Sequence, residues 1–333
     1  MPRIESDGFS LHYLSAGHGP DLMLVHGLTS NLAFWYPKVV AGLASRYRVT
    51  LVDLRGHGYS GMPPSGYTTH HLALDLKTIL DRLDIERTHL VGHSFGATVA
   101  LHLAALQPER VNGLVLADAR VRVLQPAQSM DHWPQWKTMQ ERLAQHGINI
   151  SPDDPNWEFR ILEELARQRL NGGHDHPKAG NFFVPFLSGS RARAQQWLKL
   201  ITETTAIEDF IAIAGLTEKR ILEAVQPTLA IYGEWSHCLP TLRGLAAVMP
   251  NCRSIIVKGA GHFHPLLKPN VFLHHVHRFL GQLEFRRAPR YQREKAPYLV
   301  MVNRQEQSQR ADAAGEGAKQ AAPDRRRKRA GRD

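Results

Sequence analysis

The chain has 333 residues, 43% of them hydrophobic, enough to bury a full mixed core and leave material for an inserted element. Its two cysteines, Cys238 and Cys252, have neither C-x-x-C spacing nor the density of a secreted scaffold, so a disulfide framework is excluded and reduced thiols are expected. The net charge of +10 suggests a nucleic-acid partner until it is located: residues 286–333 hold fourteen Lys/Arg against six Asp/Glu, a net of +8.

Met1–Glu5 runs straight into strand-like text at Phe9–Tyr13 with no apolar signal stretch, and no apolar span of membrane length follows anywhere. A cytoplasmic chain without a transmembrane segment is expected. Asp21–Val25 reads as a short buried strand and ends in the turn His26-Gly27-Leu28-Thr29. Val49–Val52 is a second buried strand, followed by Asp53-Leu54-Arg55-Gly56-His57-Gly58-Tyr59-Ser60, where Asp53 and Arg55 are expected to tie down a tight turn. Thr69–Asp84 carries Leu72, Leu76, Ile79, Leu80 and Leu83 at helical spacing.

The pentapeptide Gly92-His93-Ser94-Phe95-Gly96 then separates the apolar run Thr88–Val91 from the small-residue helical pattern Ala97–Leu101. A strand, a sharp turn and a helix with serine at the apex form a nucleophile signature, because the glycines permit backbone angles that a Cβ obstructs. His93, beside the serine, is expected to orient or fill space. A tetrahedral intermediate needs fixed N–H donors for its oxyanion, and the backbone N–H groups of Leu28 and Phe95 are the candidates.

Gly113–Ala117 is a further strand, ending at Asp118. Between Val121 and about Glu223 the strand rhythm gives way to helical stretches at Trp136–His146, Trp157–Leu170 and Arg191–Thr202. This segment is rich in aromatics, among them Trp133, Trp136, Trp157, Phe159, Phe182, Phe183, Phe186 and Trp197. Most should simply pack, while a few reach substrate; Trp133, Trp136, Phe183 and, further on, Trp235 are the pocket candidates. Thr228–Tyr232 and Ser254–Val257 are the last two strands, the second leading through Lys258-Gly259-Ala260-Gly261 to His262, placed as a general base belongs. Val271–Leu283 closes the body with an apolar helical face of Val271, Phe272, Val276, Phe279, Leu280 and Leu283. His274, His275 and His277 lack the i, i+4 pair of a helical zinc motif, so no metal site is expected. The tail, with its Asp324–Arg329 basic run, lacks the apolar content to fold, and weak contact with polyanions is the most expected of it; no specific nucleic-acid role follows.

His-Gly after the early strand, D-x-R-G-x-G-x-S at Asp53–Ser60, G-H-S-F-G at Gly92–Gly96 and G-x-G-H at Gly259–His262 together resemble the α/β-hydrolase superfamily over about residues 8–283. The resemblance implies a mostly parallel eight-stranded sheet flanked by helices, with a lid inserted after the sixth strand. The organisation expected is a core of residues 1–120 and 224–285, a helical cap of 121–223, and the basic tail 286–333. A Ser–acid–His unit is also implied, with Ser94 as nucleophile and His262 as base.

The acid departs from the commonest pattern. In most relatives the loop after the seventh strand reads Gly-x-x-Asp with Pro four residues on; here Gly233-Glu234-Trp235-Ser236-His237-Cys238-Leu239-Pro240 puts Ser236 in the acid's place. Two carboxylates remain. Asp118, after the sixth strand, falls where haloalkane dehalogenases carry theirs, and Pro108-Glu109-Arg110-Val111-Asn112-Gly113 matches their text before that strand. Glu234 is the second choice, displaced along the loop. Dehalogenases and epoxide hydrolases of this fold use an aspartate where this chain has Ser94, so alkyl-enzyme chemistry is not expected.

The reading is a cofactor-independent serine hydrolase of a small carboxylic ester or thioester with an apolar acyl or aromatic body, working through an acyl-enzyme. An acyltransferase or a carbon–carbon bond hydrolase would use the same residues. A ligand-binding or receptor protein with a vestigial site is the alternative of another class.

Overall fold

The computed structural model describes residues 1–126, 129–172 and 190–287. Met1–Phe279 forms one compact unit, and from Leu280 the described residues continue the last helix to Arg287.

The strands are β1 (Arg3–Ser6), β2 (Phe9–Ala16), β3 (Asp21–Val25), β4 (Arg48–Val52), β5 (Thr88–His93), β6 (Val111–Ala117), β7 (Thr228–Gly233) and β8 (Cys252–Val257). They form one sheet in the order β1-β2-β4-β3-β5-β6-β7-β8. The β1/β2 and β2/β4 pairs are antiparallel and every later pair is parallel. Parallel strands covered on both faces need side chains that are apolar on both, which is why Leu22-Met23-Leu24-Val25 reads as an unbroken apolar run and is buried throughout. Each such side chain contributes about 1.5–3 kcal/mol on leaving water.

Around the sheet lie α1 (Lys38–Ala44), α2 (Thr69–Arg82) and α3 (Phe95–Leu106); after β6 come α4 (Trp136–Ala144), α5 (Trp157–Leu170), α6 (Arg191–Glu203), α7 (Ala206–Ile211) and α8 (Glu218–Leu222). The chain then adds α9 (Leu239–Val248), α10 (His264–Leu267) and α11 (Pro269–Arg287). Thr68 caps α2 by accepting from His71 N–H, and the helix buries Leu72, Leu76, Ile79 and Leu80. On α11, Phe272 and Val276 are buried as the periodicity requires, but Val271 is 40% exposed. One residue ahead of Phe272 on a helix, it is turned about 100° away from that face.

The strand order decides where a site can form. From β3 the chain passes to β4 on one side, and β5 lies on the other, so their connections diverge and open a crevice at the carboxyl ends of β3 and β5. The turns His26–Thr29 and Gly92–Gly96 meet there.

Asp53 and Arg55 hold the loop after β4. Asp53 accepts from Leu32 N–H at 2.8 Å and Tyr59 N–H at 2.9 Å, and pairs with His12 Nδ1 at 2.7 Å. Arg55 donates twice to Asp75 on α2, at 2.6 Å each, and once to Gly66 C=O at 2.7 Å.

Candidate active site

Ser94 sits between β5 and α3 with φ 55° and ψ −126°, angles that a side chain adopts only when its surroundings enforce them. The two flanking glycines are that enforcement. A Cβ on Gly92 would meet Ala97 backbone atoms at 2.4 Å, and one on Gly96 would meet His26 C=O at 2.2 Å. Helix α3 can therefore lie directly against the strand ends. Ser94 N–H is fixed to Ala117 C=O at 2.9 Å, tying the turn to β6. A Cβ on Gly27 would come within 2.9 Å of Ser94 Cβ, so the turn after β3 passes close over the serine.

Across the crevice, His262 follows β8 and brings Nε2 to 3.0 Å from Ser94 Oγ. Its other nitrogen, Nδ1, lies 3.3 Å from Asp118 Oδ1. Asp118 is wholly buried. A carboxylate so placed must be compensated, and it is: Oδ2 accepts from Gly233 N–H at 2.8 Å, and Oδ1 accepts from the Ser236 hydroxyl. His264 Nε2, also buried, is 3.4 Å from Oδ2 and 3.1 Å from Ile231 C=O. Burial pushes the His264 imidazole down to about 4, so it is neutral at pH 7.

The structure thus brings Ser94, His262 and Asp118 together and leaves Glu234 outside. Glu234 accepts from Lys258 Nζ and Gly259 N–H, each at 2.8 Å, on the outer side of the loop. His93 stacks on Phe34 with ring centroids 4.5 Å apart, and its Nε2 meets His262 C=O at 3.0 Å, supporting the histidine from behind. Burial holds its imidazole well below the usual value.

Leu28 and Phe95 line a cavity of about 150 Å³ over Ser94, together with Trp133, Trp157, Phe159 and Phe210. Of the aromatics singled out from the sequence, Trp133 borders this cavity. Trp136 does not: it turns into the packing between α4 and α5, edge-on to Trp157 at 5.6 Å, within a cluster with Met130, Met139 and Ile161. Trp235 is likewise absent from the described lining, since Ser236 is the residue of that turn directed at Asp118. Phe183, with Phe182 and Phe186, falls outside the described residues.

The model of the alpha/beta hydrolase fold matches residues 20–269. The chain belongs to that family. An uncharacterised protein of Mycobacterium tuberculosis is 39% identical over 281 residues, 83% of this chain and 80% of that one. The pimeloyl-[acyl-carrier protein] methyl ester esterase of Aeromonas hydrophila is 28% identical over 270 residues, 80% of this chain and 97% of its own. A match to epoxide hydrolase 2 of Siraitia grosvenorii, 37% identical, is confined to 114 residues, 34% of this chain and 36% of that protein. Among solved structures, a hydrolase from Pseudomonas aeruginosa superposes with a TM-score of 0.59 at 27% identity, covering 84% of this chain and 98% of its own. At that level of description this α/β hydrolase is a hydrolytic enzyme.

Several residues around the hydrolase site escape sequence reasoning. Glu158 on α5 accepts from Arg120 Nη1 at 2.7 Å and meets His237 Nε2 at 2.8 Å. Burial acts to raise its pKa, but Arg120 and His237 outweigh that and hold it well below the usual carboxylate range. Burial pushes the Cys238 thiol well up, with Asp118 adding to the effect. His237, Cys238 and His262 place donor atoms within 4.8 Å of one another, a set that could accept a soft cation only by taking Nδ1 of His262 from Asp118. None of these groups has a spacing motif, because contacts between α5 and the loop after β7 join residues some 80 positions apart, 79 for Glu158 and His237.

Proposed function

We propose that this hydrolase cleaves a small carboxylic ester or thioester through an acyl-enzyme on Ser94. The observation that carries the reading is the 3.0 Å approach of His262 Nε2 to Ser94 Oγ, with Asp118 at the opposite ring nitrogen. His262 Nε2 takes the hydroxyl proton as Oγ adds to the carbonyl carbon. The bond to the leaving oxygen or sulfur breaks, and the same proton passes to the departing alcohol or thiol. Water then gives a proton to His262 and attacks the acyl carbon; Ser94 regains a proton as the acid leaves. One water is consumed per ester. Asp118 holds the imidazole in the tautomer with Nδ1–H and stabilises the imidazolium formed in each half. Leu28 and Phe95 N–H groups are assigned to the oxyanion, where such donors contribute about 2.7–4 kcal/mol each.

The helices between β6 and β7 are read as a cap whose aromatic and aliphatic side chains receive the apolar body of the substrate. The esterase name of the Aeromonas hydrophila relative supports ester chemistry, and serine in the nucleophile position supports an acyl-enzyme. The test is a panel of p-nitrophenyl esters and acyl thioesters of graded chain length, run beside fluorophosphonate labelling. Turnover together with labelling of Ser94, both lost in Ser94→Ala, is expected. Turnover that survives in Ser94→Ala would refute the assignment.

A further inference from the structure

The cavity above Ser94 is lined mostly by apolar side chains, and its arginines outnumber its carboxylates. Among the described lining residues the arginines are Arg120 and Arg122 and the carboxylate is Glu158. Glu158 is already engaged at both oxygens, by Arg120 at 2.7 Å and by His237 at 2.8 Å. Burial keeps the His237 imidazole below its usual value, so it does not add a second fixed cation. Arg122 is left over. Its guanidinium carbon lies 6.0 Å from the ring centroid of Phe159, itself a wall of the cavity, and its side chain makes no hydrogen bond or ion pair with any described residue. A partly buried guanidinium that lines the cavity, with none of its N–H donors taken by a described residue, is an arrangement that a ligand anion completes.

Resting on the serine-ester reading above, we propose that Arg122 binds a carboxylate of the substrate, so that the preferred substrate is an ester or thioester carrying a free carboxylate a short chain away from the bond cleaved. A carboxylate is the fitting anion: one uncompensated guanidinium is balanced by one negative charge, and its planar fork matches two parallel oxygens. The cavity size favours a short substrate. About 150 Å³ is the volume of a cavity that holds benzene, which suits a chain of a few carbons between the two groups. The chemistry at Ser94 is unchanged, with water consumed and an alcohol or thiol released as before.

The test compares monomethyl esters of succinic, glutaric and adipic acids with the isosteric methyl ester amides, and acetyl esters of short hydroxy acids with their amides, by proton release on the full chain. In at least one series the anionic ester should exceed its amide in kcat/KM by about tenfold or more. Arg122→Gln should bring that ratio close to one, and Arg122→Lys should retain part of it; using a ratio cancels any general loss of activity. Equal rates for ester and amide in the unaltered chain, or a preference that survives Arg122→Gln, would overturn the proposal. Calorimetric titration of monomethyl glutarate into Ser94→Ala, and into Ser94→Ala with Arg122→Gln, separates the two readings. Binding weakened about tenfold or more by Arg122→Gln, in a chain that hydrolyses no ester and resists the fluorophosphonate, leaves the anion site standing and removes the serine mechanism. Hydrolysis and labelling with indifference to Arg122 do the reverse.

Discussion

Ser236, at the turn after β7, donates its hydroxyl hydrogen to Oδ1 of Asp118, the same oxygen that faces His262 Nδ1. The position that the commonest pattern gives to an acid is thus occupied by a partner of an acid supplied from β6. Cys238 N–H donates to Ser236 Oγ at 3.0 Å, which fixes the hydroxyl for that role.

Asp118→Asn should lower kcat by about ten-thousand-fold, because the amide no longer holds the imidazole with its proton on Nδ1. Glu234→Gln, which alters a surface pair with Lys258, should stay within a few-fold. Steady-state kinetics of both on one ester decide it, and the opposite ranking would transfer the role to Glu234.

The Ser236 geometry predicts that the acid can be moved. Adding Ser236→Asp to Asp118→Asn should restore activity at least about tenfold, equivalent to roughly 1.4 kcal/mol of barrier, since the new carboxylate starts from the atom touching Asp118 Oδ1. The measurement is kcat of the double variant against Asp118→Asn alone. No recovery in a folded double variant would show that the β7 turn cannot reach His262.

Acid should destabilise the fold through its buried histidines. Burial holds His264 at about 4 and His57 at about 3, against about 6.5 in an unfolded chain. Both pKa values are depressed, so their contribution is complete above about pH 6.5 and is lost as pH falls toward 4 and then 3, where the unfolded chain has taken protons that the folded one refuses. Melting temperature should decline over that window, and His57→Gln should flatten the decline. A melting temperature constant from pH 7 to 4.5 contradicts this.

Asp75→Asn should cost about 3–5 kcal/mol, because it leaves the buried Arg55 guanidinium without its carboxylate. Urea unfolding measures it. A loss below about 1 kcal/mol would mean that Arg55 finds water or another partner.

The sheet was legible in the sequence because burial on both faces writes β3 and β7 as nearly unbroken apolar runs, and local backbone demands write Gly92 and Gly96 around Ser94. Those are signals carried by neighbours in the chain. The family followed from the order of such signals, and it holds. Sequence does not separate Trp136 from Trp133, because an aromatic at helical spacing looks the same whether it faces a neighbouring helix or a cavity.

The sequence thus specified strands β2 to β8, the serine turn and the histidine after β8, each of which depends on a few adjacent residues, but not β1. It left Asp118 and Glu234 as rivals, since both are carboxylates at strand ends. Only the tertiary structure separated them, by burying one against Gly233, Ser236 and His264 and leaving the other to Lys258. The joining of Arg120, Glu158 and His237, and the exclusion of Arg122 from that network, were likewise decided in three dimensions. Charge compensation in a cavity depends on distance through space, and residues brought together from β6, α5 and the β7 turn share no period along the chain.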